Sequence, residues 1–374
     1  MVKEINTGVW NAFRDRFRAC AAEEQVAIFH DADPDGTCSA VLLSLALLRF
    51  RGVPAQVHVS PYTGERFLPD EVIEFLRKKR VTTLFTTDIA LDEKPQQLLK
   101  VASFAQVVVI DHHKLYENVT SDKILLLKPQ LLVEGNEPSQ YCSSKLVYDL
   151  CGKDVDLADK AWIAAVDVIS DMTAGSWKDF LENVFRVHRF STRNAGVSSD
   201  WFRTRLGKIS TLISSAEVYD PKNVDVCYDL LFQANDPREV LKSSLVQFER
   251  EISAEIKKYL SRVKKDAEFF DAEELIYYDV RPRFNIKSPL CTLLSLKYSH
   301  KTVLLVSVVN KKVHVSARRQ DKQVAVNDLL EAACRNFQDA NAGGHIPAAG
   351  ATFPTEYLSV FKENVLALLR KRKI

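Results

Sequence analysis

The chain has 374 residues, of which 46% are hydrophobic and 27% charged, and its formal net charge is +2 at pH 7. These proportions are typical of a globular protein with room for two domains, and they exclude a strongly charged or low-complexity chain. Charged side chains interrupt every apolar run before it reaches the ~18 residues that span a bilayer, so no membrane partner is expected. Residues Met1–Arg18 contain no apolar signal core, which favours a cytoplasmic location.

The first half of the sequence alternates short apolar runs with stretches of helical length. The runs predicted to be strands are Val26–Phe29, Ala55–Val59, Val81–Thr87, Val107–Ile110 and Ile124–Leu127. The stretches predicted to be helices are Ala40–Phe50, Pro69–Lys79, Tyr141–Cys151 and Leu157–Ile169. Strands that alternate with helices predict βαβ units and a mainly parallel sheet. Functional side chains are then expected beyond the carboxyl ends of the strands.

The second half begins with a less regular helical region, from about Trp177 to Asp220. Apolar residues then recur at three- and four-residue intervals through Pro237–Lys265, which predicts one extended helix that connects two domains. Mixed structure follows, with predicted strands at Glu274–Tyr278, Thr302–Val309 and Lys312–Ala317 and predicted helices at Leu290–Tyr298, Val326–Phe337 and Glu356–Lys371.

The predicted fold class is therefore α/β. A parallel-sheet domain is expected at residues 1–175, a helical region with the long connecting helix at 176–265, and a smaller mixed α/β domain at 266–374. The seven cysteines form no CxxC pair and are odd in number, so reduced and mostly buried thiols are expected rather than disulfides or a zinc site.

An acidic segment directly follows the first predicted strand. In His30-Asp31-Ala32-Asp33-Pro34-Asp35-Gly36, the carboxylates occupy alternate positions, which project to the same side of an extended chain. Because such charges would repel one another strongly in a cleft, a cation is their natural partner. An acidic turn before a helix is more often a solvated N-cap, so the segment alone does not decide between the two interpretations.

Three further polar groups follow apolar segments. Asp88 follows Thr87, Asp111-His112-His113 follows Ile110, and Asp171 ends a helical stretch that also contains Asp167. Carboxylates with an imidazole form an oxygen-rich set suited to Mn²⁺ or Mg²⁺ rather than to a thiolate-bound metal. A single aspartate at a strand end is usually a turn residue, but the ordered set of four predicts a metal site.

These four segments, in this order, resemble the four motifs of the DHH phosphoesterase family. Near the end of the chain, Gly343–Gly350 resembles the GGH-containing loop of the family's DHHA1 domain, and Val315–Arg318 resembles that domain's strand with a substrate-binding arginine. The resemblance covers residues 25–175 and 270–372 and is greatest to the RecJ-like exonucleases, including the archaeal ones. No segment resembles the OB-type domain of bacterial RecJ.

The resemblance implies two divalent metal ions, with Mn²⁺ preferred and Mg²⁺ as the alternative. One ion would be held by Asp31, Asp33 and Asp88, and the other by Asp35, Asp88, His112 and Asp171. Many members have histidine at the first of these positions. The spacing to Asp33 favours Asp31 as the ligand here, and the neighbouring His30 is the alternative. Asp167 stands where RecJ-like members often have glycine.

Further roles follow from the same resemblance. His113 would contact the phosphate or the leaving oxygen as a hydrogen-bond donor or general acid. Asp111 would orient the histidines or, alternatively, cap the backbone at the strand end. The groups that bind substrate phosphates in the DHHA1 domain would be Arg318, Gly343, Gly344 and His345.

The implied activity is two-metal hydrolysis of phosphodiester bonds in single-stranded DNA, with RNA as a further substrate, from one end of the strand. Two alternatives stay open: cleavage of oligoribonucleotides or cyclic dinucleotides, and a non-catalytic role as a replication or repair scaffold. A competent residue at each ligand position argues against the scaffold. Single-stranded nucleic acid and a helicase or another replication or repair protein are the implied partners.

Overall fold

The computed structural model describes residues 6–61, 67–132, 140–192 and 198–371. The chain divides into two compact units, Met1–Glu249 and Arg250–Ile374. Among the helices that the structure describes, none combines the length and the apolar character needed to cross a membrane.

The first unit is built on a five-stranded parallel sheet with the strand order β2-β1-β3-β4-β5. Its strands are β1 (Val26–His30), β2 (Val57–Val59), β3 (Thr83–Thr87), β4 (Gln106–Ile110) and β5 (Ile124–Leu127). In the register of the sheet, His30 pairs with Thr87 and Thr87 with Ile110. The carboxyl ends of β1, β3 and β4 therefore lie in one row, and the polar residues that follow them come together. The predicted α/β fold with a parallel sheet is confirmed.

Helices cover both faces of this sheet. They are α1 (Thr7–Arg18), α2 (Pro34–Arg51), α3 (Asp70–Lys78), α4 (Pro95–Ala102), α5 (Pro129–Leu132), α6 (Ser143–Cys151), α7 (Ala161–Ser170), α8 (Lys178–Val187), α9 (Arg205–Tyr219), α10 (Asn223–Gln233) and α11 (Pro237–Val240). Alternate strand residues enter opposite cores: Val108 belongs to the core that includes residues of α2, α6, α7 and α9, whereas Val107 belongs to the core that includes residues of α3 and α4. Parallel strands buried on both faces read as continuous apolar runs, which is why the sequence predicted them well.

Helix α2 begins six residues before the predicted start at Ala40. Asp33 is its N-cap, and Pro34 takes the first helical position, where a missing N–H costs nothing. The helix is buried from Pro34 to Leu47 and ends at Gly52, which has a left-handed φ of 80°. The acidic segment is thus both a cap and the first turn of a core helix.

The predicted continuous helix over Pro237–Lys265 is wrong at one point. Helix α11 ends at Val240, and α12 (Leu245–Asp266) begins only after a turn. The Ser243 hydroxyl donates a hydrogen bond to the Val240 carbonyl at 2.7 Å and accepts one from the Leu245 N–H at 3.3 Å. Such local side-chain bonds compete with the helical ladder, so the periodic apolar pattern continues across a real break.

The second unit contains a six-stranded mixed sheet with the order β10-β11-β9-β8-β7-β6. Its strands are β6 (Glu268–Phe270), β7 (Leu275–Asp279), β8 (Thr302–Val309), β9 (Lys312–Arg318), β10 (Asn341–His345) and β11 (Ala348–Pro354). Strands β7 and β8 pair in parallel across α13 (Lys287–Lys297), and the other described pairs are antiparallel. Helices α14 (Val326–Cys334) and α15 (Leu358–Lys371) complete a separate apolar core.

The glycine segment predicted as a loop is instead the strand β10, which forms a hairpin with β11. Gly343 pairs with Gly350, and Gly344 pairs with Ala349. Gly344 has a φ of 138°, and a Cβ there would lie 2.6 Å from the Ala348 carbonyl oxygen, so no other residue fits without strain. The sequence did not predict this hairpin because its small residues have low strand propensity.

Candidate metal centre

The acidic segment folds into a tight turn at the end of β1. The Asp31 N–H extends the strand ladder by donating to the Thr87 carbonyl at 3.3 Å. The Asp33 carboxylate accepts the Gly36 N–H at 2.9 Å as the N-cap of α2. A Cβ on Gly36 would lie 2.2 Å from the Asp31 carbonyl oxygen, so the turn requires glycine at this position. The segment therefore directs several carboxylates to the carboxyl edge of the sheet.

A second helix fixes the Asp35 carboxylate. The backbone N–H groups of Ser143 and Ser144 donate to its two oxygens, each at 2.8 Å. These donors open α6, whose own N-cap residue, Cys142, forms no capping hydrogen bond. Asp35 thus caps a helix from a distant part of the chain, and its two oxygens satisfy amide groups that have no partner within that helix. Sequence reasoning missed this contact; two serines at the start of a predicted helix were the available signal.

Asp88 lies next to both sets of carboxylates. It directly follows β3, is 2% exposed, and has a φ of 63°, which is uncommon for a residue other than glycine. Its N–H donates to the Ile110 carbonyl at 3.0 Å, and its Oδ1 accepts the Ser143 hydroxyl at 3.2 Å. The surrounding structure therefore holds Asp88 in an uncommon backbone conformation at the centre of the cluster.

The candidate ligands form groups whose donor atoms lie within 4.8 Å of one another. The first ligand group is Asp31, Asp33 and Asp88, and the second ligand group is Asp35, His112 and Asp171. Asp88 also forms a group with His112 and His113, which joins the two. The sequence-predicted metal ligands thus lie together in the structure, and Asp88 reaches the second group through His112 rather than as one of its members.

His112 lies between the two groups. Its Nε2 atom is 3.5 Å from Asp35 Oδ2 and 3.4 Å from Asp88 Oδ1, and its Nδ1 atom is 3.7 Å from Asp171 Oδ2. The Nδ1 atom is buried and has no hydrogen-bond partner among the described residues. A buried imidazole nitrogen without a partner, surrounded by carboxylate oxygens, is the donor arrangement that a divalent cation would complete.

Without a bound cation, the charged carboxylates of the site repel one another. Burial, together with the charge of Asp35, raises the pKa of Asp33, and burial with the Asp35 and Asp33 charges raises that of Asp88 well above its ordinary value. Burial is also the main cause that raises the pKa of Asp171 to about 7. Bound divalent cations would offset this repulsion, so the donors present fit the two ions that the sequence implied.

His30, the alternative first ligand, lies outside both ligand groups. Its Nδ1 atom is 2.7 Å from the Asp31 carbonyl oxygen, and its ring is stacked with His58 and Tyr228 at centroid distances of 6.1 and 6.0 Å. Burial lowers the pKa of His30 to about 4, so the ring is neutral. The geometry therefore favours Asp31 over His30 as the cation ligand.

A buried ion-pair network supports the second histidine. Asp111 Oδ1 lies 2.7 Å from His113 Nδ1, and Asp111 Oδ2 lies 2.9 Å from the ammonium group of Lys128, which also lies 2.8 Å from Asp92. Lys128, Asp92 and Asp111 are fully or almost fully buried. Although burial opposes it, the contacts with His113 and Lys128 hold the pKa of Asp111 well below its ordinary value. Sequence reasoning missed Lys128, whose only signal was a lysine at the end of an apolar strand.

Asp167 adds a buried carboxylate behind Asp35. The Ser144 hydroxyl donates to Asp167 Oδ2 at 2.6 Å, and donor atoms of Asp167, Asp35 and Cys142 lie within 4.8 Å of one another. Burial and the Asp35 charge raise the pKa of Asp167 well above its ordinary value. Asp167 therefore contacts the environment of a candidate ligand without belonging to either ligand group.

The candidate phosphate-binding residues of the second unit meet at one end of its sheet. Arg318 ends β9 and pairs in register with Ala348, which in turn pairs with His345. The Arg318 guanidinium donates to the Ala317 carbonyl at 2.9 Å and to the Ser288 hydroxyl at 3.0 Å. A Cβ on Gly343 would meet open space, so its backbone is accessible. The side chain of His345 lies outside the described part of the structure.

Two family models match this chain. The model of the DHH family, N-terminal domain, matches residues 25–171, and the DHHA1 domain model matches residues 287–371. The chain belongs to the DHH family. The candidate metal ligands all lie within the DHH match, and Arg318, Gly343 and Gly344 lie within the DHHA1 match. A search of curated proteins found no match.

Solved structures share the fold of this DHH protein at low sequence identity. RecJ from Thermus thermophilus in complex with Mn²⁺ is 17% identical with a TM-score of 0.72, and the match covers 99% of this chain and 55% of that one. An exonuclease RecJ bound to manganese is 16% identical with a TM-score of 0.70, covering 99% and 95%. A pGpG-specific phosphodiesterase from Vibrio cholerae is 12% identical with a TM-score of 0.51, covering 93% and 99%. The chain thus spans about half the length of the Thermus protein.

Proposed function

We propose that this DHH protein is a two-metal phosphodiesterase that removes nucleotides from one end of single-stranded nucleic acid, with DNA as the main substrate and RNA as a further one. The observation that carries the proposal is the pair of partly buried ligand groups joined through Asp88. Clustered carboxylates whose pKa values are raised by burial and by one another are costly in a fold unless they bind cations. Mn²⁺ is the expected ion, and Mg²⁺ is the alternative.

The ligand groups have distinct tasks in this proposal. Asp31 and Asp33 would hold one cation, Asp35, His112 and Asp171 the other, and Asp88 would contact both. Two divalent cations, when bound, would lower the pKa of an attacking water and neutralise charge on the phosphate oxygens. The helix amides that hold Asp35 would keep this ligand in place while substrate binds and product leaves.

His113 is the proposed proton donor. Because its Nδ1 atom lies against the Asp111 carboxylate at 2.7 Å, the Nε2 atom is the nitrogen that would face the substrate. Nε2 would donate a proton to the leaving 3′ or 5′ oxygen as the bond between phosphorus and that oxygen breaks. Asp111, held by Lys128, would fix the tautomer and orientation of the ring. In the second unit, the Arg318 guanidinium and the backbone at Gly343 and Gly344 would bind substrate phosphates, together with His345.

A labelled-strand assay tests the proposal. Long DNA and RNA single strands labelled at the 5′ or 3′ end would be incubated with Mn²⁺, with Mg²⁺ or with chelator, beside dinucleotide substrates. We expect stepwise shortening of long strands that needs a divalent cation and is abolished by Asp88→Ala. The matched control is Asp70→Asn, since Asp70 is an exposed aspartate paired with Lys100 at the start of α3. Undiminished activity of Asp88→Ala would refute the metal mechanism.

One observation favours a second candidate, a phosphodiesterase for dinucleotides or short oligoribonucleotides. The chain covers 99% of the Vibrio pGpG phosphodiesterase, a match in length comparable to the 95% of the manganese-bound exonuclease RecJ. In the same assay, rapid cleavage of dinucleotides with intact long strands would support this candidate over the exonuclease. A chain inert toward both substrates, yet able to bind replication or repair proteins, would support the scaffold alternative.

A further inference from the structure

The two ligand groups differ in their donor atoms. The first ligand group offers carboxylate oxygens alone, from Asp31, Asp33 and Asp88. The second ligand group adds the imidazole of His112 to the carboxylates of Asp35 and Asp171. His30, which directly precedes Asp31, adds no nitrogen to the first group, because its ring lies in a buried stack with His58 and Tyr228.

Donor type determines which cations a site distinguishes. Mg²⁺ and Ca²⁺ take oxygen ligands, and an all-carboxylate site gives a transition metal little advantage over them. Imidazole nitrogen binds transition metals much better than it binds Mg²⁺, so one histidine in a ligand set favours Mn²⁺ over Mg²⁺. When both ions are present, Mn²⁺ should therefore occupy the site that contains an imidazole, and Mg²⁺ should compete for the site that contains carboxylates alone.

We propose that the two cation positions have different preferences: the first ligand group accepts Mg²⁺ and Mn²⁺ about equally, whereas the second ligand group selects Mn²⁺. This inference rests on the proposed two-metal centre and deepens it. In a medium rich in Mg²⁺ and poor in Mn²⁺, the protein holds Mg²⁺ at Asp31, Asp33 and Asp88, and Mn²⁺ beside His112.

Metal competition tests the inference without an activity measurement. The full chain is stripped with chelator, loaded with Mn²⁺, dialysed against a large excess of Mg²⁺, and analysed for retained manganese by atomic emission. We expect one of two bound Mn²⁺ ions to be retained. Pulsed electron paramagnetic resonance should detect coupling of this retained Mn²⁺ to an imidazole ¹⁴N nucleus, and the exchangeable Mn²⁺ should lack that coupling.

Two variants exchange the donor types. Asp31→His gives the first ligand group a nitrogen donor, so both Mn²⁺ ions should now resist Mg²⁺, with the Mg²⁺ concentration needed to displace the first ion raised about tenfold or more. His112→Asp removes nitrogen from the second ligand group, so both ions should exchange. Asp70→His, at an exposed ion pair with Lys100, is the matched control and should behave as the unmodified chain.

The outcomes separate this inference from the proposed function. Two bound Mn²⁺ ions that exchange at the same Mg²⁺ concentration, or a retained Mn²⁺ without ¹⁴N coupling, would overturn the inference and leave the two-metal hydrolase intact. Unequal exchange in a protein that cleaves no phosphodiester would support the inference and refute the function. Fewer than two bound Mn²⁺ ions would refute both.

Discussion

Replacement of Lys128 by methionine should destabilise the first unit strongly at neutral pH. The Lys128 ammonium is fully buried and lies 2.8 Å from Asp92 and 2.9 Å from Asp111, which are also fully buried. Methionine fills a similar volume but leaves two carboxylates without their counter-ion. Removal of one partner of a buried ion pair costs about 3–5 kcal/mol of unfolding free energy. For a unit of this size, we expect Tm to fall by roughly 6–20 °C.

The pH dependence of this loss follows from the pKa of Asp111, which lies well below its ordinary value. A carboxyl group whose pKa is lowered by folding stabilises the fold above its unfolded pKa of about 3.9 and loses that contribution as pH falls toward the folded value. Lys128→Met loses the part of this contribution that comes from Lys128 at every pH, whereas the part that comes from His113 remains. The difference in unfolding free energy between the unmodified protein and Lys128→Met should therefore be greatest at pH 7 and should shrink as pH falls below about 4.

Chemical denaturation at pH 7 and at low pH measures this effect, and Lys160→Met is the matched control. Lys160 is also buried, but its ammonium group donates to the Ala234 carbonyl at 2.5 Å rather than to buried carboxylates. Loss of the hydrogen bonds of this ammonium group should cost about 1.5–3 kcal/mol. The reasoning is refuted if Lys128→Met loses no more unfolding free energy at pH 7 than Lys160→Met does.

Four further outcomes are expected. In chelator, Asp33→Asn should keep the N-cap, and Asp33→Ala should be about 0.5–2 kcal/mol less stable than Asp33→Asn; calorimetric Mn²⁺ titration should show weaker binding for both, and equal stability of the two variants would contradict the cap. Gly36→Ala should abolish Mn²⁺ binding because its Cβ would lie 2.2 Å from a backbone oxygen, whereas Gly175→Ala, whose Cβ meets open space, should bind normally. Asp111→Asn should lower kcat by about 10²–10⁴-fold through loss of proton donation, with an unchanged circular dichroism spectrum; near-normal kcat would exclude the positioning role. In chelator, the protein should lose stability as pH rises from about 4 to 7, because folding raises the pKa of Asp171 to about 7 and the group must ionise while buried; saturating Mn²⁺ should abolish this loss in thermal scans.

Local sequence rules predicted the sheet and the meeting of the four motifs. Strands β1, β3 and β4 are short apolar runs, and carboxyl ends of parallel strands share an edge, so the residues after Phe29, Thr87 and Ile110 had to come together. The start of α2 was not predicted because its first turn contains the charged residue Asp35, which interrupts the apolar periodicity used to predict helices. The break before α12 was missed for the opposite reason, since periodicity continues across it.

Contacts between distant segments could not be predicted from the sequence. The amides of Ser143 and Ser144 reach Asp35 across more than a hundred residues, and no local pattern marks that pairing. Lys128 likewise finds Asp111 only because β5 lies beside β4 in the folded sheet. The residues that bind cations were visible as motifs, whereas the residues that hold them in place depend on the tertiary fold.

The same carboxylates serve as helix caps and as candidate metal ligands, and this double use explains how a repulsive cluster persists in the fold. Asp33 caps α2 and Asp35 caps α6, so each has a backbone partner before any cation binds. These backbone partners hold the carboxylates in place, although burial and neighbouring charges raise the pKa of Asp33 and Asp88. Cation binding must therefore release protons from a site that the helices have already assembled, so metal affinity should rise with pH while the backbone changes little.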